Sequence, residues 1–181
     1  MKLRKTKFFS QLKHQVLTAN QKPFLFYKLT MIGFVGFIIL LQVFILRNAL
    51  NGEMDNTMVA NSGFINIYVI RNKGVGFSLL QNQTGLVYFL QGLLSVIALV
   101  FLVFMVKYSY IFWITTLAFC SLGNFFDRLT SANDSVLDYF IFQNGSSVFN
   151  FADCCITFGF IGLFFCFLIQ MFKEFKHSKN Q

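Results

Sequence analysis

Three aspartates carry the chemistry that this sequence can offer: Asp127, Asp138 and Asp153. Each stands beside or inside an apolar run. Asp138 lies within VLDYF, Asp127 closes one long uncharged stretch, and Asp153 opens another. Ionised carboxylates at a lipid boundary are costly, so their default reading is functional. Two carboxylates brought to one point cannot both ionise easily, and one keeps a proton while the other stays a base. The base can take a proton from water as it attacks a carbonyl, and the protonated partner can donate to the oxyanion and the leaving nitrogen. That chemistry needs neither a covalent intermediate nor a metal, and no cofactor is expected. For Asp127 a bland role competes, as a polar anchor or as a partner of the adjacent Arg128.

Other chemistries lack parts. The two histidines, His14 and His177, lie in basic tails, which disfavours a zinc site or a serine triad. Ser135, Ser146 and Ser147 read as turn residues. GVGF at 74–77 lacks the third glycine and the βαβ setting of a dinucleotide fingerprint. Cys120, Cys154, Cys155 and Cys166 match no metal or redox spacing and read as small apolar packing residues.

The elements that must position the acids are membrane spans. Of 181 residues 56% are hydrophobic and 12% charged, against roughly 25% charged in soluble domains. Residues 29–46, 74–106, 108–126 and 154–172 contain no Asp, Glu, Lys or Arg. About 20 apolar residues cross a bilayer as helix, so all four stretches qualify. The expected fold is an all-α integral membrane protein with helices at about 29–47, 84–106, 108–125 and 153–171. No cleaved secretory signal is expected, since the first run is long and no small-x-small site follows it.

Net charge is +8, which raises the question of nucleic acid, but membrane orientation accounts for it. Lys2, Arg4, Lys5, Lys7, Lys13, Lys22 and Lys28 precede the first span, Lys107 sits between the second and third, and Lys173, Lys176 and Lys179 follow the fourth. Alternating helices put all three groups on one side, and an excess of Lys and Arg marks the cytoplasmic side. Both termini are then inside, and the connections 48–83 and 126–152 face outward. The tail 1–28 is basic, with some helix along the membrane surface expected. A second short tail, 173–181, follows the membrane domain 29–172.

Within the first outer connection, 48–62 reads as loop, while GFINIYVIRN alternates as a strand does. VGFSLL could pair back onto it, giving a small extracytoplasmic sheet between the first and second helices. In the second connection VLDYFIF and VFNF flank the turn signal QNGSS.

At these residues the chain resembles the bacterial lipoprotein signal peptidases (signal peptidase II). NKGVGFSLL at 72–80 is similar to the family's Asn-x-Gly-x-x-Phe-Ser block. GNFFDR at 123–128 and VLDY at 136–139 are similar to Gly-Asn-x-x-Asp-Arg and Val-Val-Asp-Phe, and FNFAD at 149–153 to Phe-Asn-x-Ala-Asp. The resemblance spans roughly residues 29–172. It implies that Asp138 and Asp153 are the catalytic pair of an aspartic endopeptidase, with Asn72, Asn124, Arg128 and Asn150 as polar site residues. Arg128 would hold a backbone carbonyl or help fix Asp127, whose own role would be supporting. The implied substrate is a diacylated prolipoprotein cut before its lipidated cysteine, at the outer face of the bacterial cytoplasmic membrane. Phospholipid is the other expected partner, nucleic acid is not expected, and the protein would work as a monomer.

There are departures. Leu41, Gln42, Val43, Phe44 and Ile45 stand where the family usually has Asp-Gln-x-x-Lys, so no charged brace is expected from those positions. The alternative they raise is an inactive relative, or a membrane protein that binds lipid or peptide in the same groove. A transporter is disfavoured, because the carboxylates cluster at one edge and not at mid-membrane depth.

Overall fold

The computed structural model describes residues 2–50, 52–74, 80, 82–131, 133–145 and 147–179. Among the described residues six α-helices and four strands follow one another. α1 (Lys2–Ala19) is a basic helix ahead of the first span. α2 (Lys22–Leu41), with Pro23 in its first turn, runs through a π-helical turn at Gln42–Leu46 into the short α3 (Arg47–Leu50). β1 (Thr57–Ala60) and β2 (Ile65–Asn72) come next, then α4 (Thr84–Phe104) and α5 (Tyr108–Thr130). β3 (Val136–Phe142), β4 (Val148–Phe149) and α6 (Phe151–Lys179) complete the chain.

Four helices, α2, α4, α5 and α6, are long and apolar enough to cross a membrane. They make this a multi-pass membrane protein. α5 is the centre of the bundle, with 56% of its span buried inside the protein against 17%, 22% and 6% for α2, α4 and α6. Its mean hydropathy is the lowest of the four at 1.3, because it carries the polar side chains that face inward. The lipid-facing helices keep exposed Phe, Leu and Val along their outer sides, which suits hydrocarbon as solvent.

Packing fixes the helices around α5. Ala98 and Leu102 of α4 meet Ile111, Ile114 and Ala118 of α5. Nearer the acid residues, Val35 and Ile39 of α2 meet Cys120 of α5 and Ala152 of α6. Gly123 permits that approach: a Cβ there would lie 2.6 Å from the Cγ2 atom of Ile39. The first residue of the GNFFDR block is therefore needed as glycine for contact between helices.

The sheet is antiparallel with strand order β1-β2-β3-β4, and it draws on both outer connections. The expected sheet between the first two spans is present and extends further than the sequence indicated. β1 falls in the 48–62 stretch read as loop, VLDYFIF forms β3, and only the first two residues of VFNF form β4, since Phe151 already opens α6. The proposed return strand in VGFSLL falls on residues 75–79, outside the described residues. A β-bulge in β2 decides which of its side chains meet the acid. Ile67 pairs with Phe140 but Ile70 pairs with Asp138, three steps on β2 against two on β3. The extra residue switches which β2 side chains share a face with Asp138, so that Asn72 and not Arg71 stands on that face.

Three helix ends differ from the sequence reading. α2 begins at Lys22 and not at 29, since Pro23 suits the first turn of a helix. α5 continues to Thr130, which puts Asp127 and Arg128 inside its last turns and not beyond the span. α6 runs on to Lys179, well past 171, because nothing after Met171 breaks the helix and Lys176, His177 and Lys179 suit its C-terminal dipole.

Candidate active site

The site forms where the outer ends of α5 and α6 meet the middle of the sheet. Asn150 precedes α6 as its N-cap. Its side-chain oxygen accepts from the Asp153 backbone N–H at 3.0 Å, while the Asp153 Oδ2 atom accepts from the Asn150 N–H at 3.1 Å. This reciprocal pair is a capping box built from Asn and Asp. It puts the Asp153 carboxylate in the first turn of α6, where the helix dipole favours negative charge. The other Asp153 oxygen accepts from the Asn124 Nδ2 atom at 2.8 Å.

Asp138 reaches the same point from β3 and is only 2% exposed. Its Oδ1 atom accepts from Asn150 Nδ2 at 2.9 Å and its Oδ2 atom from Asn72 Nδ2 at 2.9 Å. Asn150 Nδ2 also donates to the Asn124 Oδ1 atom at 3.2 Å. One asparagine thus touches both acids, with its side chain on Asp138 and its backbone on Asp153. Burial pushes the Asp138 carboxyl up to about 7, and the charge of Asp153 adds to this, against the hydrogen bonds from Asn72 and Asn150 and the Arg128 charge. Asp138 is therefore suited to hold a proton near neutral pH.

Arg128, 1% exposed, organises the chain entering the site from β2. Its guanidinium donates to the Gly74 carbonyl at 2.6 Å, to the Asn72 carbonyl at 3.4 Å, and to the Gln91 Oε1 atom of α4. Of the two roles expected for Arg128, holding backbone carbonyls is the one observed. Gly74 N–H in turn donates to Asn72 Oδ1 at 2.8 Å, which turns the Asn72 amide so that its nitrogen faces Asp138.

Asp127 stands apart from the acid pair. Its Oδ2 atom accepts from the Leu137 N–H at 3.1 Å, and its Oδ1 atom forms an ion pair with Arg47 at 2.9 Å. The partner of Asp127 is therefore Arg47 of α3, at the outer end of the first span's helix, and not its neighbour Arg128. That helix does brace the region, from a position beyond the 41–45 stretch where no charge stands. Asn72, Asn124, Arg128, Asp138, Asn150 and Asp153 share one network, and Asp127 stays outside it.

Sequence reasoning missed Gln91, Arg47 and Tyr139. Gln91 carried a usable signal, since it is the one amide side chain in an otherwise apolar span and such residues mark sites. Tyr139 is 2% exposed and its hydroxyl accepts from the Phe151 N–H at 3.2 Å, tying β3 to the start of α6. Burial raises the Tyr139 phenol further, so it stays neutral. Among the described residues no group of three or more His, Cys, Asp or Glu side chains is placed to hold a metal ion.

A four-span membrane bundle with one buried and one half-buried carboxylate, both hydrogen-bonded, at one rim suits a membrane hydrolase of the aspartic type. The family model described as signal peptidase (SPase) II matches residues 37–170, and the chain belongs to that family of aspartic endopeptidases. It is 99% identical over 181 residues to a lipoprotein signal peptidase of Mycoplasma genitalium, covering 100% of both chains. It is 69% identical over 178 residues to a lipoprotein signal peptidase of Mycoplasma pneumoniae, covering 96% of this chain and 97% of that one. A lipoprotein signal peptidase of Bartonella quintana is 30% identical over 173 residues, 89% of this chain and 97% of its own. A solved bacterial membrane enzyme shares the fold, with TM-score 0.66 at 21% identity over 80% of this chain and 88% of that one.

Proposed function

We propose that Asp138 and Asp153 are the catalytic dyad of a membrane endopeptidase that removes signal peptides from diacylglyceryl-modified prolipoproteins, cutting before the lipidated cysteine. The observation that carries this reading is the double contact of Asn150 with both carboxylates. It holds two acids in one buried network, the condition for sharing a proton. Asp153, stabilised by the α6 N-terminus and Asn124, acts as the base that draws a proton from water. Asp138, protonated, gives its proton to the carbonyl oxygen as water adds; Asp153 then passes the proton it took from water to the leaving nitrogen, while Asp138 recovers its own from a hydroxyl of the tetrahedral intermediate. Atoms balance without a covalent intermediate: water supplies hydroxyl to the carbonyl carbon and a proton to the amine.

Asn72, Asn124 and Asn150 fix the carboxylates, and Arg128 fixes the 72–74 backbone over them. Fixed donors need no reorganisation as charge develops, which is where such sites gain most of their rate. The basic tails 1–28 and 173–181 lie in the cytoplasm, the domain 29–172 spans the membrane, and the dyad opens on the outer side. The substrate's signal helix and acyl chains reach the site laterally from phospholipid, and one copy of the chain is sufficient. The rival reading, a binding protein without activity, rested on the missing charges at 41 and 45. The Arg47–Asp127 ion pair weakens it.

The test is cleavage of a diacylglyceryl precursor in phospholipid vesicles, with the product termini read by mass spectrometry. Cleavage before the modified cysteine by the wild type, and its loss in Asp138→Asn, is expected. Full cleavage by Asp138→Asn would end the reading.

A further inference from the structure

Behind the acid pair, on the other face of β3, the short helix α3 joins the apolar cluster that holds both chain neighbours of Asp138. Leu50 shares one buried apolar cluster with Leu137 and Tyr139 and with Val69 of β2. Arg47, three residues earlier and so on the same side of the helix, reaches the same strand through Asp127. Its Nη1 atom lies 2.9 Å from Asp127 Oδ1, and Asp127 Oδ2 accepts the Leu137 N–H. That N–H lies on the edge of β3 beyond the reach of β4, which pairs only with Phe140 and Ile141. A carboxylate from α5 thus occupies the place of a missing strand, and Arg47 holds the carboxylate.

The approach of Arg47 depends on the π-turn at Gln42–Leu46. A π-turn adds one residue to a helical turn and so rotates everything after it, by about 100° at 3.6 residues per turn. Without it α3 would leave α2 facing a different direction, and Arg47 and Leu50 would miss the strand.

We infer that Arg47 is a positioning residue for the reaction: through Asp127 and the Leu137 amide it clamps β3 from behind and so fixes where Asp138 stands against Asp153. The inference rests on the dyad reading and deepens it. Arg47 acts at a distance from the substrate, so its loss lowers turnover and leaves substrate binding largely intact. A misplacement of about 1 Å at reacting groups can cost roughly a hundredfold. A loosened strand also gives Asp138 more water, which moves the alkaline limb of the pH–rate profile to lower pH.

The experiment compares the wild type with Arg47→Gln, Arg47→Lys, Asp127→Asn, the double variant Arg47→Gln/Asp127→Asn, and Asp138→Asn as control, all in vesicles with a diacylglyceryl precursor. Arg47→Gln is expected to lower kcat about 10- to 100-fold, with KM within about twofold. Its alkaline limb moves to lower pH, and Arg47→Lys restores most of the rate. The double variant is no worse than the worse single variant, because the two residues act in series. If Arg47→Gln does not insert or fold, the double variant decides, since it leaves no buried charge unpaired, and it should show the same fall in kcat and the same shift. Wild-type kcat and pH profile in Arg47→Gln, or in the double variant where that decides, would overturn the inference. So would effects of the single variants that multiply, or a loss in KM alone. Activity in Asp138→Asn would instead overturn the dyad reading, whatever Arg47 does.

Discussion

Asn150 and Asp153 exchange hydrogen bonds across the first turn of α6, each accepting the other's backbone N–H through its side chain, at 3.0 and 3.1 Å. The exchange makes one structure serve two purposes. It ends the helix as a cap ordinarily does, and it freezes a carboxylate beside a second acid. The Asn150 nitrogen left over by the cap is the one that holds Asp138.

These purposes can be separated by mutation. Serine is as good an N-cap as asparagine but cannot reach Asp138. Asn150→Ser should therefore keep the cap, lose about 1–3 kcal/mol of thermal stability in detergent from the acceptors left unpaired on Asp138 and Asn124, and lose at least about tenfold in kcat. Equal activity in the serine variant would show that the bridge to Asp138 does not matter.

Arg128 makes its contacts with a planar fork that lysine cannot reproduce. Arg128→Lys should lose roughly 10- to 100-fold in kcat/KM, as the 72–74 backbone is released over the dyad. Gln91→Leu, which leaves an Arg128 donor buried without a partner, should destabilise the protein by about 1–3 kcal/mol. Thermal unfolding in detergent measures the second effect and vesicle cleavage the first. An unchanged unfolding temperature in Gln91→Leu would contradict the assigned contact.

The proposed substrate enters from lipid, so its acyl chains should raise its local concentration and orient the scissile bond. An unlipidated precursor of the same sequence should be cleaved at least about tenfold more slowly, a minimum set by roughly one lost apolar contact of a few methylenes. Competition between the two precursors in one vesicle preparation measures this directly. Equal rates would reject lipid recognition while leaving the dyad untouched.

The sequence displayed the spans because charge-free runs of bilayer length are a property of composition and need no contact to be seen. Asp138 and Asp153 were visible for the same reason, as carboxylates where apolar neighbours make them expensive. The sheet was harder to see. β1 has only four residues, Thr57–Ala60, inside a stretch rich in Asn, Gly and Asp, and its strand character comes from pairing with β2. β2 pairs with β3 across two spans, a contact that no local pattern encodes. The bulge between Ile67 and Ile70, which places Asn72 on the face of Asp138, exists only in that pairing. Arg47 carries no such signal, because the π-turn that aims it leaves no mark in QVFIL.

The pH dependence of kcat/KM in vesicles tests the shared proton most directly. Below the pair's first titration both carboxyls are protonated and no base remains. As pH rises through about 7 the Asp138 carboxyl gives up its proton and the acid is lost. A bell is expected, falling on its alkaline side near pH 7. A rate that stays level from about pH 5 to 9 in the unmodified protein would contradict the account, since two acids that never exchange their roles cannot be sharing one proton.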